Sequence, residues 1–140
     1  MTPHALADLH HAAFTRDRGW SADEFAGLLD SPHVQLLQHP GGFALVRTVA
    51  GESELLTLAV DPAHQRQGLG HLLLQDWMKA IRDQAETAFL EVASDNDVAR
   101  RLYARCGFAV IATRPAYYAR TSGPAADALI MSRALTPRQA

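Results

Sequence analysis

Residues 58–71, which read LAVDPAHQRQGLGH, decide the fold that the sequence predicts. The stretch begins with an apolar run, is interrupted by Asp61 and Pro62, and continues into a turn with two glycines. After those glycines, apolar residues recur at helical spacing, namely at Leu69, Leu72, Leu73, Trp77, Ala80 and Ile81. The stretch therefore predicts a strand, a tight turn and a helix in that order.

The turn itself, Gln65-Arg66-Gln67-Gly68-Leu69-Gly70-His71, has the composition of an anion site. Glycines at alternate positions let the backbone approach a phosphate, and the free N–H groups and dipole of a helix start favour its negative charge. Arg66 can add a charged contact. The sequence lacks the lysine and hydroxyl residue of a P-loop and the third glycine of the dinucleotide fingerprint. On its own, a tight strand-to-helix connection explains the turn as well as ligand binding does.

Two helices are predicted before this stretch, and six strands along the chain. Residues 3–14 start with a proline suited to a first turn, and residues 22–29 follow a capping box and a hydrophobic staple, formed by Ser21 with Glu24 and by Trp20 with Phe25. Apolar runs predict an antiparallel meander and then three short strands, at residues 34–37, 43–49, 55–60, 88–92, 108–112 and 129–131. A further helix begins at Asp95 or Asn96 and closes at Cys106, with Gly107 left-handed after it. This order favours an α/β or α+β fold with helices on the faces of a sheet.

Length and composition limit the classes of protein. A chain of 140 residues is expected to form a single domain over residues 1–140. Its 48% hydrophobic and 20% charged residues are typical of a soluble globular protein, and the net charge of −2 argues against a nucleic-acid partner. No apolar run approaches the roughly 20 residues that span a bilayer, so no membrane association is expected. The single cysteine, Cys106, and the lack of a leader pattern favour a reducing cytoplasm.

The residues around the turn resemble the acetyl-CoA motif of the GNAT acetyltransferase superfamily. The match comprises Leu58-Ala59-Val60-Asp61-Pro62 and Gln65-Arg66-Gln67-Gly68-Leu69-Gly70, then Leu90-Glu91-Val92, Asn96, Leu102-Tyr103 and Gly107-Phe108. Tyr117-Tyr118 and Asp127-Ala128-Leu129-Ile130-Met131 also resemble the RimI type, the ribosomal-protein-alanine N-acetyltransferases. The resemblance extends from Leu6 to Arg133. It implies the GNAT fold, a mixed and mostly antiparallel central sheet flanked by helices.

The resemblance also implies where acetyl-CoA binds. The cosubstrate would lie between the strand before the turn and the strand after its helix, with its pantetheine arm along the backbone of Leu58, Ala59 and Val60. The residues that would hold the pyrophosphate are Arg66, Gln67, Gly68, Leu69, Gly70 and His71. Asn96 would hydrogen-bond the pantetheine portion, although it can also be a helix cap, and the two roles are compatible.

Two residues would carry the chemistry by the same resemblance. Glu91 would be the general base, because an α-amine with a pKa of about 8 arrives largely protonated and has to lose a proton before it attacks the thioester. Tyr103 would be the general acid that protonates the departing thiolate. Without the resemblance, Glu91 would be an ordinary solvated strand residue and Tyr103 a core aromatic.

Other candidate residues carry weaker expectations. Tyr117 and Tyr118 are placed in the loop before the last strand, where the family builds its acceptor groove, although they can equally be packing aromatics. Cys106 is not expected to be a nucleophile, since no histidine stands at a recognisable partner spacing. The three N-terminal histidines match no zinc pattern, so no metal is expected; they are His4, His10 and His11.

The chain also departs from the family pattern. GNAT enzymes usually begin with a strand before the first helix, and this strand is expected to be missing here or supplied by a partner, so both monomer and homodimer are open. His71 stands where the group is often basic, and Pro115-Ala116 stand where the RimI type has polar residues. The predicted acceptor is a protein N-terminus, such as that of a ribosomal protein. The alternatives are a small-molecule amine and, against the presence of Glu91 and Tyr103, a catalytically silent acyl-CoA-binding module.

Overall fold

The computed structural model describes residues 1–14 and 18–135. These residues form four α-helices, six β-strands and one turn of 3₁₀-helix. In chain order the elements are α1 (Pro3–Ala13), α2 (Ala22–Leu29), β1 (Val34–His39), β2 (Gly42–Val49), β3 (Gly51–Val60), the 3₁₀ turn (Pro62–His64), α3 (Leu69–Ala80), β4 (Ala85–Ala93), α4 (Asp97–Arg105), β5 (Ala109–Tyr118) and β6 (Ala126–Ala134). The predicted order of elements is confirmed.

All six strands of the described residues join one sheet, in the order β1-β2-β3-β4-β6-β5. Neighbouring strands are antiparallel except β3 and β4, which run parallel. A parallel pair needs a crossover connection, and α3 supplies it. The predicted fold, a mixed and mostly antiparallel sheet with helices, is confirmed. Met1 and Thr2 are the only described residues before α1, and neither lies in a strand.

Each face of the sheet has its own hydrophobic cluster. Phe43 and Leu45 of β2 pack with Leu6 and Phe25 of α1 and α2 on one face. The residues of β2 that alternate with them, including Ala44, point to the other face, where α3 and α4 pack. The largest side chain on that face is Trp77, which is wholly buried and donates its indole N–H to the hydroxyl of Ser53 at 2.8 Å. The helices thus cover both faces of the sheet at its central strands, whereas β5 is exposed along almost its whole length.

The helix caps predicted from the sequence are confirmed at the ends of α2 and α4. The predicted capping box is present at the start of α2, and the two staple rings lie 5.6 Å apart. Asn96 rather than Asp95 caps α4, because its side-chain oxygen accepts the N–H of Ala99 at 3.2 Å. Gly107 follows α4 with a φ of 89°. Even the longest described helix, α3 with 12 residues, is too short to cross a membrane.

The predicted start of β3 is wrong by four residues. Ala50 and Gly51 both have positive φ and form a two-residue hairpin turn, so that Val49 pairs directly with Glu52. The strand therefore begins at Gly51 instead of Leu55. A glycine next to a polar residue is typical of a longer loop as well as of a tight turn, so these residues do not determine where β3 begins.

The predicted end of β5 is also wrong, and with it the placement of two candidate residues. The strand continues beyond Ala112 to Tyr118, which pairs with Ala126 of β6 after a register shift. Pro115 is tolerated because β5 is an edge strand, where a missing N–H need not break a ladder. Tyr117 and Tyr118 therefore lie at the end of a strand and not in a loop.

Candidate active site

The parallel strands β3 and β4 separate towards their carboxyl ends. Their pairing ends where Leu55 lies opposite Leu90. Beyond that point, residues 57–60 of β3 pair only with β2, and residues 91–93 of β4 pair only with β6. The two strands thus leave a V-shaped opening in the middle of the sheet.

A β-bulge in β3 accounts for the opening. Leu45 and Val46 are consecutive on β2, yet their partners on β3 are Thr57 and Leu55, so Leu56 is an extra residue. Leu56 and Thr57 consequently face the same side, where Leu56 packs against the α1–α2 cluster and the Thr57 hydroxyl bonds to α1 at 3.0 Å. A bulge bends its strand and increases its twist. It therefore turns β3 away from β4 directly after their last paired residues.

The backbone of β3 forms one wall of the opening. Leu58, Ala59 and Val60 pair with β2 on one side, but β4 does not pair with them on the other. The N–H and C=O groups of this segment that do not point to β2 therefore face the opening, and the Val60 carbonyl also accepts a hydrogen bond from the Gln65 side chain at 3.3 Å. A free strand edge of this kind binds an extended chain that carries amide groups. This is the position that the predicted role of the three residues requires.

The glycine turn lies at the same end of the opening. Gly68 is the N-cap of α3 with a φ of 78°, and no side chain caps the helix. The N–H groups of Leu69, Gly70 and His71 have no acceptor in the described part of the chain, as expected for a first helical turn. Arg66 also has a positive φ, 68°, a conformation that costs about 1–2 kcal/mol for a residue with a side chain. Together with the positive end of the helix dipole, this backbone has the geometry that an anion site requires.

The two glycines of the turn are needed for different reasons. A Cβ on Gly68 would meet no atom within 4 Å, so its positive φ and not crowding favours glycine there. A Cβ on Gly70 would lie 2.9 Å from a methyl group of Leu102. Gly70 therefore allows α3 to pack closely on α4.

Glu91 is the first residue of β4 beyond the last pair with β3. One of its carboxylate oxygens accepts a hydrogen bond from the Tyr118 hydroxyl at 2.8 Å, and the other lies 3.7 Å from Nη1 of Arg114. The side chain is 28% exposed, so a substrate can reach it. Both partners come from β5, although β6 lies between β4 and β5. The arrangement presents a carboxylate that can take a proton.

Tyr103 lies on the buried face of α4 and is 7% exposed. Its ring centroid is 6.4 Å from that of Phe108, which stacks on Trp77 at 5.6 Å. Burial, together with the nearby Cys106, raises the pKa of the Tyr103 phenol well above its ordinary value of 10. The phenol therefore keeps its proton at neutral pH. The structure brings Glu91 together with Tyr118 and leaves Tyr103 in this aromatic cluster.

Asn96 and the two tyrosines of β5 border the same region. The side-chain oxygen of Asn96 caps α4, and its NH₂ group donates to no acceptor among the described residues. Tyr117 is 52% exposed, with the Arg114 guanidinium 5.4 Å from its ring centroid. The strand end is shaped by Asp127, whose carboxylate accepts the N–H of Ala116 at 2.9 Å. This contact gives a structural reason for the Asp127 segment that the sequence shares with the RimI type.

Cys106 and His71 form a contact that the sequence does not predict. The sulfur of Cys106 lies 3.4 Å from Nδ1 of His71, in the glycine turn, although the two residues are 35 positions apart. Burial raises the pKa of the Cys106 thiol, against the lowering effect of Arg133 and Arg105. The thiol therefore stays protonated, which does not suit a nucleophile. No pattern of sequence spacing could have found this pair.

His10 is a buried, hydrogen-bonded residue of the hydrophobic core. It is 3% exposed, and its Nδ1 accepts the N–H of Trp20 at 3.1 Å, which leaves Nε2 to donate to the Thr57 hydroxyl at 3.0 Å. Burial and the neighbouring His11 lower the pKa of His10 to about 4, so the ring is neutral. Within residues 1–14 and 18–135, no group of three or more histidine, cysteine or acidic residues is placed to hold a metal ion.

Comparison with known proteins identifies the family. A sequence profile described as the Acetyltransferase (GNAT) family matches residues 5–108. The matched segment contains the opening, the glycine turn, Glu91 and Tyr103. The chain belongs to the GNAT acetyltransferase family. It is an N-acetyltransferase, and GNAT acetyltransferases use acetyl-CoA as the acetyl donor.

Individual relatives of this GNAT chain are of the RimI type. N-alpha-acetyltransferase RimI of Mycobacterium tuberculosis is 37% identical over 136 residues, which cover 91% of this chain and 83% of the relative. The ribosomal protein bS18-alanine N-acetyltransferase of Escherichia coli K12 is 36% identical over 118 residues, or 81% and 79% of the two chains. The crystal structure of the ribosomal-protein-S18-alanine N-acetyltransferase from Escherichia coli has a TM-score of 0.86 to this chain at 30% identity, and covers 99% of this chain and 90% of that one. The predicted resemblance to the RimI type is confirmed.

Proposed function

We propose that this GNAT enzyme transfers the acetyl group of acetyl-CoA to the N-terminal α-amine of a protein. The observation that carries the proposal is the opening between β3 and β4, with free N–H groups of α3 at one end and Glu91 on its β4 side. The similarity to enzymes named for alanine acetylation of ribosomal protein bS18 directs the choice of acceptor. An N-terminal alanine of a ribosomal protein is therefore the first candidate.

Acetyl-CoA would bind along the β3 side of the opening. The free edge formed by Leu58, Ala59 and Val60 suits the amide groups of the pantetheine arm, as an added strand would. The unpaired N–H groups after Gly68 suit the pyrophosphate, and the exposed Arg66 adds a positive charge. The pyrophosphate set of the turn is Arg66, Gln67, Gly68, Leu69, Gly70 and His71. The NH₂ group of Asn96 is available to the pantetheine portion while its oxygen caps α4.

Glu91 would take a proton from the acceptor amine, directly or through a water, because an α-amine with a pKa of about 8 is largely protonated at neutral pH. The neutral nitrogen then attacks the thioester carbonyl, and it gives up its second proton to water as the neutral amide forms. The new N–C bond forms as the C–S bond breaks, and the CoA sulfur leaves with the electron pair. Tyr103 would donate its phenolic proton to that sulfur and regain one from solvent. Burial raises the pKa of this phenol, which keeps it protonated before the reaction but makes it a weaker acid, so the transfer requires that bound acetyl-CoA lower that pKa.

The acceptor would lie across the end of β5, beside Tyr117 and Tyr118. Arg114 stands 3.7 Å from Glu91, and its positive charge disfavours a protonated amine at that carboxylate. Arg114 and Tyr117 are both more than half exposed, so they form an open surface and not an enclosed pocket. An open surface fits a peptide better than a small amine. The presence of both Glu91 and Tyr103 favours an enzyme over a silent acyl-CoA-binding module.

Further properties of the chain stay predictions. We infer a single GNAT domain over residues 1–140, since the strands of the described residues share one sheet. Monomer and homodimer both fit the proposed reaction. The cytoplasmic location favoured by the single cysteine, and the expectation that neither nucleic acid nor membrane is a partner, also stay predictions.

The test is an assay with acetyl-CoA and a matched panel of acceptors. The panel contains a peptide with N-terminal alanine, the same peptide with a blocked N-terminus and an internal lysine, a polyamine and free amino acids. Thiol release and acceptor mass are followed together. A mass gain of one acetyl group on the free peptide but not on the blocked one supports the proposal. A gain only on small amines would replace it with the small-molecule function, and acetyl-CoA binding without any transfer to the panel would favour the silent module.

A further inference from the structure

Two side-chain bridges connect the end of β4 with the end of β5 and pass over the intervening strand β6. The first is the hydrogen bond from Tyr118 to Glu91 at 2.8 Å. The second joins Arg120, two residues after Tyr118, to Asp95 in the turn after β4. Nε and Nη2 of Arg120 donate to the two oxygens of Asp95 at 2.8 and 3.0 Å. The two bridges thus start and end on the same pair of chain segments.

The Arg120 guanidinium is held in a fixed plane. Two parallel bonds to one carboxylate set its orientation, and Nη1 also donates to the carbonyl of Ala119 at 3.0 Å. The side chain is only 9% exposed, so the ion pair with Asp95 is less screened than a surface pair. The pair is therefore a rigid anchor at the end of β5.

This anchor is in contact with the ring of Tyr118. The guanidinium carbon of Arg120 lies 5.6 Å from the centroid of that ring, within cation–π distance. Tyr117 meets the same ring edge-on, at 5.1 Å and an interplanar angle of 89°. The orientation of the Tyr118 ring decides whether its hydroxyl reaches Glu91. A chain of contacts thus runs from Asp95 through Arg120 and Tyr118 to Glu91.

We propose that Arg120, anchored by Asp95, is a positioning residue for acetyl transfer. It holds the Tyr118 ring so that the hydroxyl occupies one oxygen of Glu91 and leaves the oxygen beside Arg114 for the acceptor amine. The catalytic part of this inference rests on the proposed role of Glu91 as general base. The positional part, that Arg120 sets the Tyr118–Glu91 contact, does not depend on the reaction.

The positional part is tested by NMR on protein labelled at the Cζ carbon of tyrosine. The chain has three tyrosines, so the signals are few and Tyr118→Phe assigns the relevant one. With Arg120 intact, Glu91→Gln is expected to shift the Tyr118 signal, because the acceptor of its hydroxyl loses its charge. When Arg120 is replaced by Met, Glu91→Gln is expected to leave the Tyr118 signal unchanged. A shift of equal size with Arg120 and with Met at position 120 overturns the proposal.

Two further variants distinguish loss of the Arg120 contact from a general disturbance of the fold. Asp95→Asn removes the negative charge of Asp95 and keeps the shape of its side chain. With this variant, the shift of the Tyr118 signal caused by Glu91→Gln is expected to become smaller. Arg47→Met is the matched control, because it removes another arginine–carboxylate bond, to Glu54 at 2.8 Å on β2 and β3. In the Arg47→Met protein, Glu91→Gln is expected to shift the Tyr118 signal as it does in the wild type. If this shift is lost in Arg47→Met as well, Arg120 has no specific role.

The catalytic part is tested by a double-mutant cycle with the alanine peptide as acceptor. Arg120→Met is expected to lower kcat about tenfold when Tyr118 is present and to have no further effect in Tyr118→Phe, as for coupled residues of one network. The Kd for acetyl-CoA should not change. Equal effects of Arg120→Met in both backgrounds would show a structural role only. A wild-type enzyme that leaves the peptide unmodified would contradict the proposed function, and the NMR response would still decide the positional part.

Discussion

Leu55 and Leu90 are the last residues that pair between the parallel strands β3 and β4. The next residue of β3, Leu56, is the extra residue of a bulge, and the next residue of β4 is Glu91. The bulge bends β3 away from β4. One local irregularity thereby leaves both the strand edge at which we propose that acetyl-CoA binds and the accessible carboxylate of Glu91, our proposed base for the acceptor amine.

Gly68→Asp is expected to abolish acetyl-CoA binding, with a loss of more than about a hundredfold, or about 3 kcal/mol. The new carboxylate would stand at the anion site, and the residue would have to keep a φ of 78°. Calorimetric titration measures the Kd. Gly51→Asp is the matched control, because Gly51 has a φ of 81° and equally open surroundings in the β2–β3 turn. Unchanged affinity in Gly68→Asp would remove the turn from the cosubstrate site.

Glu91→Gln is expected to lower kcat about 10²–10⁴-fold at pH 7 without changing the Kd for acetyl-CoA, as for loss of a general base. The defect should shrink above about pH 9, because the acceptor α-amine is then already deprotonated. The measurement is kcat for the alanine peptide as a function of pH. Glu86→Gln, on the exposed start of β4, is the control. A defect of the same size at every pH would argue that Glu91 binds substrate and takes no proton.

Tyr103→Phe is expected to lower kcat while acetyl-CoA affinity stays close to that of the wild type. The substitution removes only a hydroxyl and keeps the ring contact with Phe108. Loss of a general acid costs about 10²–10⁴-fold in rate, so the two parameters should separate clearly. Steady-state kinetics and calorimetry on the same preparation provide the comparison. If kcat does not change, the acid is another group, and Tyr103 is a core aromatic.

His10 is expected to make the fold less stable in acid. Its pKa is about 4 in the folded chain against an ordinary 6.5, so the unfolded chain binds more protons between these pH values. The free energy of unfolding therefore falls as the pH is lowered from 6.5 to 4, by about 3 kcal/mol from this residue. Urea unfolding at pH 7 and pH 4 should show a smaller decrease for His10→Gln than for the wild type. His4→Gln, at an exposed position of the same helix, should behave like the wild type, and equal decreases in all three proteins would contradict the assignment.

Much of the fold could be predicted, because its signals are local. The capping box at Ser21 and the glycine turn before α3 each depend on a few neighbouring residues, and both are present in the structure. The strand boundaries depend on pairing with residues that are distant in the sequence. The predicted strand ended at Ala112, whereas β5 continues through Pro115, because an edge strand accepts a proline and its edge position depends on the whole sheet.

The candidate site shows the same division. The position of Glu91 could be predicted from the residues around it, since the resemblance lies in a short motif. Its contact with Tyr118 could not, because the two residues are 27 positions apart and lie on strands that are not neighbours. The pairing of Arg120 with Asp95 and of His71 with Cys106 was missed for the same reason.

The sequence by itself determined the order of the elements, the glycine turn and the family, because periodicity, helix caps and glycine turns act through residues close together in the chain. Only the tertiary structure decided how β3 separates from β4 and which β5 side chains reach Glu91. These features depend on a bulge, on strand order and on register, and a shift of one residue in register would send each side chain to the opposite face. Their physical cause is the packing of the whole sheet, which no short stretch of sequence contains.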